Sequence, residues 1–171
     1  MVDQAENFHP LAPAASPRLR LALYEPDIPQ NAGTIFRLGA CLGIAIDLIE
    51  PAGFDASDRN LKRAGMDYLG HVEIRRHLNF AHFNAWRRAE HFRLVLATTK
   101  GASNHTIFKF KNNDIVLLGR ESAGVPDEIH ALADARVKIP LQPTMRSLNI
   151  AVAGAILIGE ALRQLDAFPH E

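Results

Sequence analysis

A single cysteine, Cys41, stands among the 171 residues of this chain. One thiol excludes an internal disulfide framework and any metal site built from several cysteines, and it fits a reducing, cytoplasmic setting. Net charge is missing as well: 19 Lys and Arg balance 19 Asp and Glu. That balance excludes a polybasic tail protein, although a local basic patch can still hold nucleic acid. Long apolar runs are absent. The longest, Ile150 to Gly159, is half of the roughly 20 residues that a bilayer span needs. The opening MVDQAENFHP carries acids where an export signal carries positive charge, and no apolar segment follows it. No G-x-G-x-x-G string, no Gly-Lys-Ser/Thr phosphate loop and no G-x-S-x-G elbow occurs. The histidines include no H-x-x-x-H pair, so no metal is expected.

What is present is an alternation of apolar runs and helical periodicity. Strands are expected at Leu19–Tyr24, Ile44–Ile49, Arg93–Thr98 and Asp114–Leu118, with weaker ones at His71–Ile74 and Arg136–Pro140. Helices are expected at Asn31–Leu42, Ser57–Ala64, Asn79–Glu90, Pro126–Leu132 and Ser147–Leu165. Asn31 and Ser147 are N-cap residue types. Aliphatic strands that alternate with helices predict an α/β protein, its mainly parallel sheet covered by helices on both faces. Pro10, Pro13 and Pro17 among small and polar neighbours mark residues 1–18 as a flexible extension, with one domain over 19–171. The last helix (IAVAGAILIGEAL) is apolar nearly all round, so it is either buried or packed on a partner.

Ligands of parallel sheets sit beyond the carboxyl ends of strands, and three post-strand segments carry unusual residues. The first opens a helix with Asn31-x-Gly33-x-x-x-Arg37. The second is Gly119-Arg-Glu121-Ser-Ala-Gly124-Val-Pro126, where two glycines let backbone cradle a ligand. The third runs from Ile139-Pro140-Leu141 to Arg146-Ser147-Leu148-Asn149. Taken singly, each has a plain alternative: a capped helix with a solvated arginine, a glycine-rich turn, and a capped helix with a buried, hydrogen-bonded asparagine.

Taken together and in this order, the segments resemble the SPOUT class of RNA methyltransferases, the SpoU/TrmH-type 2'-O-ribose enzymes. Further stretches are similar to the small branch of that family that acts on the wobble nucleotide of tRNA. They are Leu23-Tyr-Glu-Pro-Asp-Ile-Pro-Gln-Asn31, Ile49-Glu-Pro-Ala-Gly-Phe54, Lys62-Arg-Ala-Gly-Met-Asp-Tyr68 and Thr98-Thr-Lys-Gly101. The similarity spans roughly residues 19 to 166. One departure is Ile150-Ala-Val152, where close relatives carry a more polar Leu-Ser-Asn.

The resemblance implies a C-terminal trefoil knot that holds S-adenosylmethionine, and a homodimer with a composite active site. It implies 2'-O-methylation of cytidine or uridine 34, with leucine tRNAs as the expected substrates. Carried over by motif, the catalytic set is Arg37, Asn31, Glu121, Ser147 and Asn149, with Asn31 and Glu121 orienting the arginine. The cofactor set is Ala97, Thr98, Gly119, Glu121, Gly124, Ile139, Leu141, Ser147 and Leu148. Between Arg59 and Arg93 there are eight Lys/Arg against three acids. RNA contacts are accordingly expected at Lys62, Arg63, Arg75 and Arg76, with Arg87 and Arg88 as further candidates and Lys100 and Arg146 nearer the site. Two other readings are a SpoU-type enzyme for another tRNA or rRNA position, and a non-catalytic RNA-binding module on the same fold.

Overall fold

A computed structural model describes residues 18–170, apart from 58, 60–67 and 101–102. Residues 1–17 of the expected extension, most of the expected helix at Ser57–Ala64, and both Lys62 and Arg63 lie outside the described residues. The order of elements is β1 (Arg20–Tyr24), α1 (Pro29–Leu42), β2 (Ala45–Ile49), β3 (Ile74–His77), α2 (Phe80–Ala89) and β4 (Arg93–Ala97). There follow β5 (Ser103–Asn104), β6 (Asp114–Leu118), α3 (Asp127–Leu132), β7 (Ala135–Lys138) and α4 (Ile150–Leu165). The described strands form one sheet in the order β3-β2-β1-β6-β4-β7-β5, and each pairing is parallel. The α/β class read from the sequence is therefore the observed one.

The strands are apolar without alternation because both faces are covered. In β1, Leu21 and Leu23 join the core under α1 and α4, with Ile35, Phe36, Leu157 and Ile158. Ala22 and Tyr24 face the other way and pack with Phe83 and Ile129 under α2 and α3. At Gly39 a Cβ would stand 2.7 Å from the Ile44 carbonyl oxygen, so glycine lets α1 lie close against the start of β2. Across β1, β2 and β3, buried Asp47 takes bonds from Arg20 Nε at 2.7 Å and from His77 Nε2 at 2.8 Å. That network satisfies a carboxylate that would be costly to bury alone.

Several boundaries differ from expectation, each for a local reason. The weak strand expected at His71–Ile74 lies three residues later, at Ile74–His77, because Leu69–His71 forms a 3-10 turn. Asn31 does not cap α1. The cap is Ile28, and Pro29 begins the helix at a position where its missing N–H costs nothing. Ser147 does not cap α4 either. Asn149 does, accepting from the N–H groups of Ala151 at 2.8 Å and Val152 at 3.4 Å. Asn149 is exposed, not buried. β5 was not anticipated, since two residues leave no periodicity.

Candidate active site

The sheet order reverses beside β1, and the carboxyl ends of β4, β6 and β7 open into a cleft of about 260 Å³. Chains that leave adjacent parallel strands in opposite directions create such a crevice. Eight of the nine residues expected to meet the cofactor line it: Ala97, Thr98, Gly119, Gly124, Ile139, Leu141, Ser147 and Leu148. They come from three separate loops, and α4 closes the cleft with Ile150, Ala153 and Leu157.

Glu121 does not line the cleft. Its carboxylate turns the other way, accepting from the Asp27 backbone N–H at 2.8 Å and from Asn31 Nδ2 at 3.1 Å. Asn31 Oδ1 in turn accepts from Asn149 Nδ2 at 2.8 Å, and Asn149 caps α4. One hydrogen-bonded line thus runs from Glu121 through Asn31 to Asn149. It joins residues 90 and 118 positions apart and ties all three sequence motifs together. The asparagines serve as connectors because an amide donates and accepts at once.

Gly119 and Gly124 have roles internal to their loop. Arg120 and Gly124 exchange backbone hydrogen bonds of 3.0 and 2.9 Å, which pinches residues 120–124 into a closed turn. A Cβ on Gly119 would lie 2.8 Å from Gly124 Cα, and Gly124 has φ +66°. The space expected to be left for a ligand at Gly119 is occupied by the loop's own backbone. What glycine provides here is the turn that brings the loop to the cleft.

Arg37 projects from the exposed side of α1, and its guanidinium sits 4.7 Å above the ring of Tyr68. Among the described residues it has no ion-pair partner, and neither Asn31 nor Glu121 holds it. The expected orientation of Arg37 by those two residues is not what the structure shows. The arginine beside Glu121 is Arg120, which the motif reading passed over. It binds Asp27 Oδ1 through Nη2 at 2.6 Å and Glu25 Oε2 through Nη1 at 3.1 Å. With Arg120 and the Ser122 hydroxyl donating to it, the Asp27 carboxyl is held down to about 2. The available signal was an acid-rich turn after β1 together with an arginine inside a glycine loop.

The basic residues divide. Arg75 is exposed and stacks on Trp86 at 4.7 Å, while Arg88, Lys100 and Arg146 are exposed. Lys100 also lines the cleft. Arg76 lies 3.6 Å from a Glu50 carboxylate oxygen. Arg87 is withdrawn from the surface: it is buried and donates to Asp134 at 2.5 Å and to the Phe92 and Leu132 carbonyls. Its place in an RNA-facing set is corrected accordingly, because helix α2 turns it under the surface to anchor the turn before β7. Among the described residues no cluster of His, Cys, Asp and Glu could hold a metal, and no helix is long and apolar enough to cross a membrane.

The SpoU rRNA Methylase family matches residues 18–159. A curated relative from Ancylobacter novellus, named tRNA (cytidine(34)-2'-O)-methyltransferase, is 60% identical over 150 residues, covering 88% of this chain and 95% of its own. A solved structure described as giving insights into 2-OH methylation of C/U34 on tRNA is 41% identical with a TM-score of 0.77. That match covers 86% of this chain and 96% of the other. An AdoMet-bound rRNA methyltransferase from Sinorhizobium meliloti is 30% identical with a TM-score of 0.78, over 88% of this chain and 59% of its own.

Proposed function

The chain belongs to the SpoU methylase family, and from that membership we propose that it transfers the methyl of S-adenosylmethionine to a tRNA ribose. The acceptor is the 2'-hydroxyl of nucleotide 34, the wobble cytidine or uridine, with leucine isoacceptors as the first substrates. The observation that carries this reading is the 60% identity, over nearly the whole described domain, to a relative named for that reaction. The rRNA enzymes of the family are more distant, at 30% identity, and extend well beyond the length of this chain.

The cleft suits the cofactor by its own chemistry. Leu118, Val137 and Leu157 offer apolar surface to an adenine, and Lys100 and Lys138 offer charge opposite to an amino-acid carboxylate. Its volume of about 260 Å³ sits near the low end of small-molecule sites, commonly about 300–1,000 Å³. Ala97, Thr98, Gly119, Gly124, Ile139, Leu141, Ser147 and Leu148 would hold it. When bound, the sulfonium supplies an electrophilic methyl.

The protein's task is then to place a ribose hydroxyl in line with that methyl and to stabilise the charge that develops on oxygen. Arg37 is assigned the second role. A guanidinium has a pKa above about 12 and does not act as a base near neutrality. It can pair with a developing alkoxide or orient a substrate phosphate that takes the proton. The Glu121–Asn31–Asn149 line ties the first turn of α1, the helix that carries Arg37, to the loop after β6 and to α4. Ser147 lines the cleft, and Asn149 fixes the start of α4 beside it.

Arg37 stands clear of its own chain's Asn31 and Glu121, which suits a site completed by a second copy. The reading therefore includes a homodimer, packed through the exposed apolar residues Val152 and Ile156 of α4. It also includes one methyltransferase domain over 19–171, the family's trefoil knot, RNA contacts through Arg75, Arg76, Lys100 and Arg146, and work in the cytoplasm. Incubation with methyl-labelled S-adenosylmethionine and unmodified bulk tRNA tests it. Incorporation is expected, and at least a hundredfold loss in Arg37→Ala, in line with roughly 3 kcal/mol for one electrostatic donor. No incorporation by a protein that binds the cofactor would overturn the reading in favour of a non-catalytic RNA-binding module.

A further inference from the structure

The glycine loop after β6 has little core to rest on. Ser122, Ala123 and Gly124 are exposed, yet Gly119, Arg120, Ala123, Gly124 and Val125 form one side of the cleft. Only Val125 of this wall packs on the core, so polar contacts must hold the rest, and apart from the Glu121–Asn31 bond the side-chain contacts of residues 120–122 run to one place. Arg120 reaches Asp27 with Nε at 3.2 Å and Nη2 at 2.6 Å, and Glu25 with Nη1 at 3.1 Å. The Ser122 hydroxyl and backbone N–H donate to Asp27 Oδ2 at 2.5 and 3.2 Å. Glu121 accepts from the Asp27 N–H. Three consecutive loop residues thus grip the segment 25–27 that leaves β1.

That segment is itself fixed. Glu25 has φ +42°, a left-handed conformation that a non-glycine residue keeps only when its surroundings hold it there. Its backbone N–H donates to the Ile49 carbonyl at 2.9 Å, and Arg120 grips its carboxylate from the other side. Behind it, Gly53 packs so closely that a Cβ would meet Asp27 Cα at 3.1 Å, so the segment has no room to retreat.

We propose that Arg120 is a positioning residue for the cofactor cleft: its guanidinium staples the exposed loop after β6 to the segment after β1 and so sets the position of one wall. The inference rests on the reading of that cleft as the S-adenosylmethionine site. Arginine is required because its planar fork spans two carboxylates, whereas a lysine ammonium presents one point of charge. The Asp27 carboxyl, at about 2, keeps the staple ionised at any pH near neutrality.

Calorimetric titration of S-adenosylmethionine into the wild type, Arg120→Ala, Arg120→Lys, Asp27→Asn and the Arg120→Ala/Asp27→Asn double variant tests the proposal. Arg120→Ala and Asp27→Asn should each weaken binding roughly five- to tenfold, the scale of a partly exposed charged contact that shapes a site. The double variant should lose less than the product of the single losses, and Arg120→Lys should recover only part. In steady-state assays the rise should fall on KM for S-adenosylmethionine and not on KM for tRNA, a split that general loosening of the fold does not produce. Asp27→Asn is nearly isosteric, so it reports even if Arg120→Ala folds poorly. Unchanged affinity in the folded variants, or fully multiplicative losses, would overturn the inference while leaving the cofactor assignment intact. A wild type that binds no S-adenosylmethionine would instead overturn the assignment on which it rests.

Discussion

Gly119 shows how closely one residue controls the site. Its hydrogen faces the backbone of Gly124, and a methyl in its place would stand 2.8 Å from two backbone atoms that have no way to yield separately. Gly119→Ala should therefore open the pinched turn, displace the cleft wall and weaken S-adenosylmethionine binding roughly tenfold, a loss of about 1.4 kcal/mol. Binding calorimetry reads this directly, and affinity equal to wild type would contradict the described turn. Tyr68 makes a second case. Its ring is the one partner described for Arg37, at 4.7 Å, and an exposed cation–π contact is worth about 0.5–1 kcal/mol. Tyr68→Leu should lower kcat roughly three- to fivefold on that scale, while Tyr68→Phe, which keeps the ring face, should stay near wild type. Equal losses in both would mean that the hydroxyl, not the ring, carries the role of Tyr68.

Among the elements, different parts of the sheet do different work. The β3-β2-β1 side carries Asp47, which is fully buried between Arg20 and His77. Asp47→Ala would leave the buried Arg20 without its main counter-charge, a change that typically costs about 3–5 kcal/mol. Chemical denaturation should show that loss, with cofactor affinity in the folded fraction unchanged because neither Arg20, Asp47 nor His77 lines the cleft. The carboxyl end carries the site, and there the caps matter. Asn149→Ala removes both the cap of α4 and the link to Asn31, so its stability cost should exceed the roughly 1 kcal/mol of an ordinary N-cap. A denaturation midpoint equal to wild type would contradict the cap.

This is also the scale at which the sequence was most legible. Strands buried on both faces are apolar runs, and α1, α2 and α4 show clear helical spacing, so these elements fell where periodicity placed them. The helix starts did not. Asn31 and Ser147 have the composition of caps, but backbone geometry gave those places to Ile28 and Asn149. Composition states what a residue can do locally, whereas Asn31 is engaged 118 positions away, by a partner on another element. The loops that line the cleft were legible by motif, apart from Glu121, because each motif lies at a strand end. The Asp27–Arg120 pairing was not, since ion pairs between distant loops leave no pattern in either loop alone.

For the whole molecule, the cleft and the arginine assigned to the chemistry must meet. In one chain α4 buries Ala151, Gly154, Leu157, Ile158, Ala161 and Leu162 and leaves Val152 at 48% and Ile156 at 36% exposure on its opposite side. An apolar stripe on a helix that borders the cleft is the surface through which the proposed second copy would pack. Val152→Glu/Ile156→Glu should yield a folded monomer by light scattering that has lost methyl transfer but still binds S-adenosylmethionine. A dimer that survives those charges would place the interface elsewhere.

Methylation of the ribose of nucleotide 34 by this chain is tested by locating the methyl. Unmodified tRNA and ribosomal RNA would each be treated with the protein and S-adenosylmethionine, and nuclease fragments read by mass spectrometry beside an Arg37→Ala control. A single new ribose methyl is expected at the wobble nucleotide of tRNA, absent from the control and from ribosomal RNA. A methyl at any other position would contradict it.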